Sequence, residues 1–474
     1  MISLTAFYFL FLLWAAGFLV YFYKAAQQNN YIILFGGVIP GILILTYGIG
    51  GIFLTTLPQH DRYSFYRAYF TDFDLVLVLF YSILASNLFF VGFLLSARGK
   101  VKPKNISMNW RNQFCFDSRK IYSSAIILLV FDLSVRIVKL TSGSYISWVA
   151  AHVHGLPYWK TTLFQIETFI LPFLGIFLYV LSRKEKWGKI FLLLLMGLVI
   201  LEGDRSNFLT FIVPIAFAYL YYNKIKPSVY FVTKISIFFI FFFGFIGPAI
   251  QEVRYAVRDD KEIIIANPEK TFGLLFSKYI PENVTVSKLY GDESRRGQSV
   301  LKRRLMGWPA FWASINSQIR SGKTFRGMDE AVRTMALCVP SILYPGDKPE
   351  IKSGEDNLEF YELYVRTNDP QSTVFLDAFA IGGIYGLVAV SIIFGCLFGF
   401  LVRFLINRWR ATGIIICFGL VHILIINRDS FGTIFVNFRN SVLTTTLLYT
   451  LFLLSRVRVH FFKNKLFELE SASS

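Results

Sequence analysis

Long apolar runs, separated mostly by short polar connections, organise this chain. They fall at 3–23, 31–52, 73–96, 121–140, 161–182, 190–202, 206–222, 235–250, 375–402, 411–427 and 440–455. Most have the ~17–25 residues with which a helix crosses a hydrocarbon layer of ~30 Å. The pattern predicts an all-α fold, a polytopic transmembrane helical bundle of about eleven spans. A spanning β-barrel would instead show ~10-residue segments of alternating polarity. The first run has neither a basic leader nor a small-residue cleavage site, so it reads as a retained span.

One stretch breaks the pattern. Residues 251–374 are long, mixed in charge and nearly neutral, and divide an N-terminal bundle at 1–250 (about eight spans) from about three spans and a tail at 375–474. Helix-like amphipathic patches occur at 271–280, 299–319 and 328–343. The middle patch sets Leu301, Leu305, Trp308, Phe311 and Trp312 among Lys302, Arg303 and Arg304. That mixture predicts a helix lying in the membrane interface, aromatics down and guanidinium groups toward lipid phosphates.

The net charge of +18 would suit nucleic acid if the basic residues formed one patch. They do not, and no nucleic-acid partner is expected. Arg98, Lys100, Lys102, Lys104, Arg183, Lys184, Lys186, Lys224, Lys226, Arg403, Arg408 and the tail from Arg456 fall on one alternating set of short connections. This bias makes that set cytoplasmic. The N-terminus and 251–374 then lie outside and the C-terminus inside. The four cysteines and five histidines show no zinc spacing, and His152 and His154 would point to different helical faces. No metal or cofactor is expected.

Arginines gather where outer helix ends are expected. Arg205 lies in the tight turn Gly203-Asp204-Arg205-Ser206; Arg254 and Arg258 follow the eighth run four residues apart; Arg428 and Arg439 bracket the last outer connection. A guanidinium group stays charged and grips phosphate oxygens bidentately. A lipid diphosphate is the ligand such positions suit, against snorkelling or pairing with outer acids as the plainer use. Asp132 and Arg136, at i and i+4, predict an intramembrane ion pair. Glu167 and Asp377 are carboxylates near the outer ends of spans, each a site candidate or a hydrogen-bonded buried acid. Gly382, Gly383, Gly386, Gly395 and Gly399 predict close helix packing.

The order of these features resembles the Wzy-type O-antigen polymerases and the related O-antigen ligases, GT-C-like membrane glycosyltransferases. It covers about 190–400: the Gly-Asp-Arg-Ser turn, a long outer loop with Arg304, Trp308 and Phe311 on a helix and Gly327 after it, and the return Ser372–Phe379 before Gly383. The resemblance implies an enzyme of the bacterial cytoplasmic (inner) membrane that joins undecaprenyl-diphosphate-linked oligosaccharides without a metal. It implies Arg205 and Arg304 as catalytic residues, and Asp377 joins them as the catalytic candidate that its place at the outer mouth of the ninth run suggests. Arg254, Arg258, Arg303, Arg428, Arg439 and Trp308 would bind diphosphate or glycan. Membrane lipids, a chain-length regulator and a flippase are the implied partners. The ligases usually carry a histidine just before the return segment, and Gln371–Val374 has none, which favours polymerase. Asp369, Glu355, Asp356 and Asp377 remain alternative proton acceptors. A ligase is the second reading. A transporter or flippase of lipid-linked oligosaccharide is the third, although such proteins usually show repeat symmetry and charges in several spans.

Overall fold

The computed structural model describes residues 4–27, 31–55, 57, 62, 68–97, 118–141, 158–183, 185–201, 205–222, 292–327, 339, 344, 355–363, 373–426, 439, 443, 446 and 450. Regular structure among them is helical: α1 (Leu4–Gln27), α2 (Tyr31–Gly36), α3 (Val38–Leu43), a π-helical turn (Ile44–Ile49), α4 (Gly50–Thr55), α5 (Asp72–Ala97), α6 (Ser118–Thr141), α7 (Tyr158–Ser182), α8 (Lys186–Leu201), α9 (Arg205–Tyr222), α10 (Asp292–Arg320), α11 (Glu355–Phe360) and α12 (Val374–Ile426). Apart from α10 and α11, which lie within 251–374, the described helices follow the expected apolar runs. The run at 235–250 and the patch at 271–280 lie outside the described residues, as do the patch at 328–343 and the run at 440–455 but for 339, 443, 446 and 450.

Four segments among the described residues are long and apolar enough to span a bilayer: Phe7–Ala25, Val38–Thr55, Asp72–Ala97 and Val374–Asn407. Phe9, Leu10, Leu95 and Phe400 stand exposed on these segments, as lipid-facing side chains do.

Two elements depart from expectation. The runs at 375–402 and 411–427 form one unbroken helix of 53 residues. The basic segment 403–410 that was expected to separate them contains neither proline nor glycine, so nothing in its backbone chemistry stops a helix. At 1.5 Å per residue such a helix is about 80 Å long, well beyond one hydrocarbon layer. The run at 31–52, in contrast, is broken by a turn at Gly37 and by the π-turn. A π-turn widens the backbone locally and commonly marks functional positions. Here it contains Tyr47, which is fully buried.

The centre of the bundle is the crossing of α5 and α12. Small residues allow the two backbones to touch: a Cβ on Gly92 would come 2.5 Å from the Ile392 carbonyl oxygen, and one on Gly399 2.5 Å from that of Phe93. Phe89 and Phe93 meet Phe394 and Phe398 with centroids 5.4 Å (Phe89–Phe394) and 5.8 Å (Phe93–Phe398) apart. The middle of α7 is apolar all round and is enclosed by α6, α8, α9 and α12, with Phe173, Leu174, Ile176, Phe177 and Leu178 at or below 1% exposure.

The loop helix α10 corrects a second expectation. It is 29 residues long, not a short patch, and its aromatic face is not laid on lipid. Met306, Ala310, Phe311, Trp312, Ala313 and Ile315 are buried within the protein against α4, the π-turn and α5. Ala310, Ala313 and Ser314 are small enough to let α10 close onto the bundle. Trp312 then packs on Tyr47 (5.0 Å), Tyr81 (5.9 Å) and Phe379 (5.8 Å). This aromatic cluster ties the loop to the end of the bundle where α4 finishes and α5 and α12 begin.

Candidate functional site

The segments flanking α10 and α11 converge on the first turns of α12. Thr373 caps that helix: its hydroxyl accepts from the Leu376 N–H at 3.2 Å. The Thr373 and Tyr47 hydroxyls share a 2.6 Å bond across the bundle. One turn further, Asp377 is buried. Its Oδ1 accepts from the Asn357 amide at 2.8 Å and lies 3.4 Å from a guanidinium nitrogen of Arg326. The same guanidinium nitrogen donates to the Asn357 Oδ1 at 2.7 Å. The side chains of Arg326 and Asp377 are only 5% and 4% exposed, so water screens their attraction little.

The backbone supports this three-residue network. Gly383 adopts φ +61 inside α12, a conformation that L side chains resist. Just before it, the Ala380 and Ile381 carbonyls accept from the N–H groups of Arg326 and Gly327, each at 3.0 Å. The Tyr361 hydroxyl also donates to Ala380 O at 3.0 Å. Burial pushes the Tyr361 hydroxyl far above its ordinary 10.0; Arg326 pulls it down and Asp377 adds to the rise. Glycine also shapes the approach to the site. Gly322, at φ +106, ends α10, and the Lys323 N–H reaches back to Gln318 O at 3.1 Å.

A second set of contacts fixes the end of α10 to α5. Asp74 accepts from Arg320 through both oxygens, Nε at 2.8 Å and a terminal nitrogen at 2.5 Å, in a bidentate fork. Asp74 also closes a capping box with Thr71, whose N–H it accepts at 2.7 Å. Ser317 donates to Tyr69 O at 2.6 Å.

Within the bundle, Asp132 and Arg136 form the expected ion pair at 2.8 Å. Glu167 on α7 extends it, 3.3 Å from Arg136 and 2.5 Å from Lys139. All four are buried, and their charges balance. This arrangement fits a cluster that fastens α6 to α7.

Of the residues singled out from sequence, Asp377 is part of the network and Trp308 lies half-buried on α10. Arg205 is the first residue of α9. Arg303 and Arg304 lie on α10, with side chains outside the described residues. Arg439 is half-buried in a helical position. Arg254, Arg258, Arg428 and the proton-acceptor candidate Asp369 lie outside the described residues. Glu355 and Asp356 open α11. Arg326, Asn357, Arg320 and Asp74 were not picked out from sequence. For Asp74 a signal existed, because Thr71-x-x-Asp74 is a cap pattern before an apolar run. Among the described residues no group of three or more His, Cys, Asp or Glu is placed to hold a metal ion.

No curated protein and no solved structure matches the chain. A family model for the O-antigen polysaccharide polymerase Wzy matches residues 1–286, more than half of the 474. The match includes Arg205, Arg254 and Arg258 and stops before α10. Together with the apolar helices it shows that the chain belongs to the O-antigen polysaccharide polymerase Wzy family, multi-pass bacterial membrane proteins that act as glycosyltransferase-type polymerases on lipid-linked oligosaccharide repeat units.

Proposed function

We propose that this polymerase releases undecaprenyl diphosphate from one lipid-linked repeat unit as a hydroxyl of a second attacks its anomeric carbon. The new glycosidic C–O bond forms as the bond to the diphosphate oxygen breaks. The hydroxyl proton passes to a nearby carboxylate or water, and the departing diphosphate takes the bonding electrons. The reaction occurs on the outer face of the inner membrane, with the N-terminus outside and the C-terminus in the cytoplasm. A flippase supplies the lipid-linked units and a chain-length regulator sets the product length.

The observation that carries this reading is the family match over the segment containing Arg205, the residue that opens α9. A helix N-terminus already favours an anion, and a guanidinium group there adds two parallel donors. Arg205 and Arg304 stabilise the charge that develops on the leaving diphosphate, work that needs no resident metal. Arg254, Arg258, Arg303, Arg428 and Arg439 extend the cationic surface, and Trp308 contacts sugar. Asp377 is the positioning residue of this set, since its carboxylate accepts from Asn357 and faces Arg326.

Purified protein in liposomes, supplied with the lipid-linked repeat unit of its own host, is expected to make a ladder of longer glycans. Arg205→Ala is expected to abolish the ladder while thermal unfolding stays unchanged. A wild-type protein that makes no ladder from verified substrate refutes the reading. A normal ladder from Arg205→Ala removes that residue from the site.

A further inference from the structure

Helices α8 and α9 meet below the membrane surface. The near end of α8 follows the basic connection at 183–186, and there Trp187 packs on Tyr122 with ring centroids 5.1 Å apart. Basic and aromatic residues together mark a membrane boundary. From that boundary the 16 residues of α8 reach about 24 Å, short of a hydrocarbon layer of ~30 Å. The neighbouring α7 has 25 residues and reaches about 37 Å, enough to cross. Glu202, Gly203 and Asp204 alone join α8 to α9, too few to lift the turn to the far surface.

Contacts with α7 fix the level of this turn. A Cβ on Gly188 would come 2.7 Å from the Ser182 nitrogen, so α8 and α7 are level there. Counted along both helices from that contact, Leu201 is level with about Phe169. On the other side, a Cβ on Gly175 would come 2.7 Å from the Phe211 ring of α9, and the Tyr179 and Tyr219 rings are 6.2 Å apart. Counted in the same way, these pairs place Arg205 beside residues 165–169 of α7. Three contacts thus agree on one level, about 10–16 Å short of Tyr158, where α7 begins. Glu167 lies at that level, with Arg136 at 3.3 Å and Lys139 at 2.5 Å. A polar layer therefore crosses α6, α7 and α9 at hydrocarbon depth.

The last carbonyls of α8 and the first N–H groups of α9 have no partner within their own helices. Such backbone is tolerated at membrane depth only where protein buries it or water reaches it. We propose that Arg205 stands on the floor of a water-filled recess sunk into the outer leaflet, and that the diphosphate of the lipid-linked unit leaves the headgroup plane and descends to it. The inference rests on the polymerase reading for the ligand and for which leaflet is the outer one. The bond to the diphosphate is then broken below the membrane surface. Low-dielectric walls replace bulk water on most sides there, which strengthens the hold of a guanidinium group on the leaving anion.

Thiol accessibility tests the depth. Ser206→Cys, in the first turn of α9, and Trp159→Cys, in the first turn of α7, are made singly in full-length protein whose four native cysteines are replaced by alanine. That parent is the blank, and all are held in nanodiscs. The probes are a small anionic methanethiosulfonate and a maleimide on a polyethylene glycol chain too bulky for a recess. Trp159→Cys is expected to react with both, and Ser206→Cys with the small reagent alone. The lipid-linked repeat unit, at about ten times its Kd, is expected to slow the small reagent at Ser206→Cys about tenfold, because about a tenth of the sites stay free. Its effect at Trp159→Cys is expected to be nil. Equal reaction of the bulky maleimide at both positions puts the turn at the surface and overturns the recess. A Ser206→Cys that neither reagent reaches shows that protein seals the turn, and overturns it as well. Asn207→Cys gives the same readings if the Ser206 variant does not fold. Absence of protection in protein that makes a ladder overturns binding at the floor and leaves the polymerase reading intact. Small-reagent access with neither protection nor a ladder refutes the polymerase reading and leaves the recess standing.

Discussion

Replacing Arg326 with methionine tests whether the Asp377 network holds the loop to the bundle. Methionine fills most of the volume of the arginine stem and brings no charge. Asp377, 4% exposed at its side chain, then keeps a buried negative charge with Asn357 as a donor. Breaking one side of a buried pair costs about 3–5 kcal/mol. The surviving Asn357 bond places this case at the lower end, near 3 kcal/mol. The loss falls on docking of the loop and not on the whole bundle, because the α5–α12 core lies elsewhere. At about 1.4 kcal/mol per tenfold, the undocked fraction rises roughly a hundredfold. Limited proteolysis at 321–327 and 355–363 reads that fraction directly when opening is fast relative to cleavage. Adding Asp377→Asn removes the buried charge and keeps a partner for Asn357, so the double variant is expected to recover most of the loss. Equal cleavage rates for wild type and Arg326→Met, or a double variant as loose as the single, would refute the network.

Three further outcomes follow from the same geometry. Gly383 lies at φ +61, and a Cβ there meets the Phe325 ring at 2.8 Å, so Gly383→Ala is expected to destabilise by about 1–2 kcal/mol. Because Phe325 is partly exposed and able to move, the cost is mainly backbone strain, and Gly383→Asn is expected to unfold at a higher temperature than Gly383→Ala. Removing the Glu167 carboxylate as Ala takes a buried acid from beside Arg136 and Lys139; a loss of about 3–5 kcal/mol is expected in a detergent unfolding titration. The Tyr361 hydroxyl is held protonated in the fold, so its contribution to loop docking is complete below its unfolded value of 10.0 and declines as pH rises above it. Wild type is therefore expected to lose more protease resistance than Tyr361→Phe between neutral pH and pH above 10.

The membrane architecture was legible because hydrophobicity over ~20 residues needs no tertiary information. The run at 73–96 and the helix Asp72–Ala97 differ by a single residue at each end. The break expected at 403–410 does not form, because charge alone does not terminate a helix in a segment without proline or glycine. The interface reading of 299–319 failed for a similar reason. Amphipathicity says that one face seeks an apolar partner, but lipid and a protein groove satisfy it equally. Only the small residues Ala310, Ala313 and Ser314 favour close protein packing, and they become informative once the groove formed by Tyr47 and Tyr81 is known.

The site shows the same limit in sharper form. Proximity to span ends marks Arg205, Arg254, Arg258, Arg428 and Arg439 in the sequence, and not Arg326 or Arg320. Both missed arginines sit in the loop, and their partners Asp377 and Asp74 lie 51 and 246 residues away in the chain. No local spacing rule links such pairs. The acids at helix starts carried the earlier signal: Asp74 and Asp377 both occupy the first turn of long apolar helices. A carboxylate there is stabilised by the helix N-terminus and is an expensive charge to leave at the edge of a bilayer. Each therefore calls for a cation from another segment. The long polar loop is the segment with arginines to spare near both helix starts, so ranking acids by the need for a partner would have led to Arg320 and Arg326.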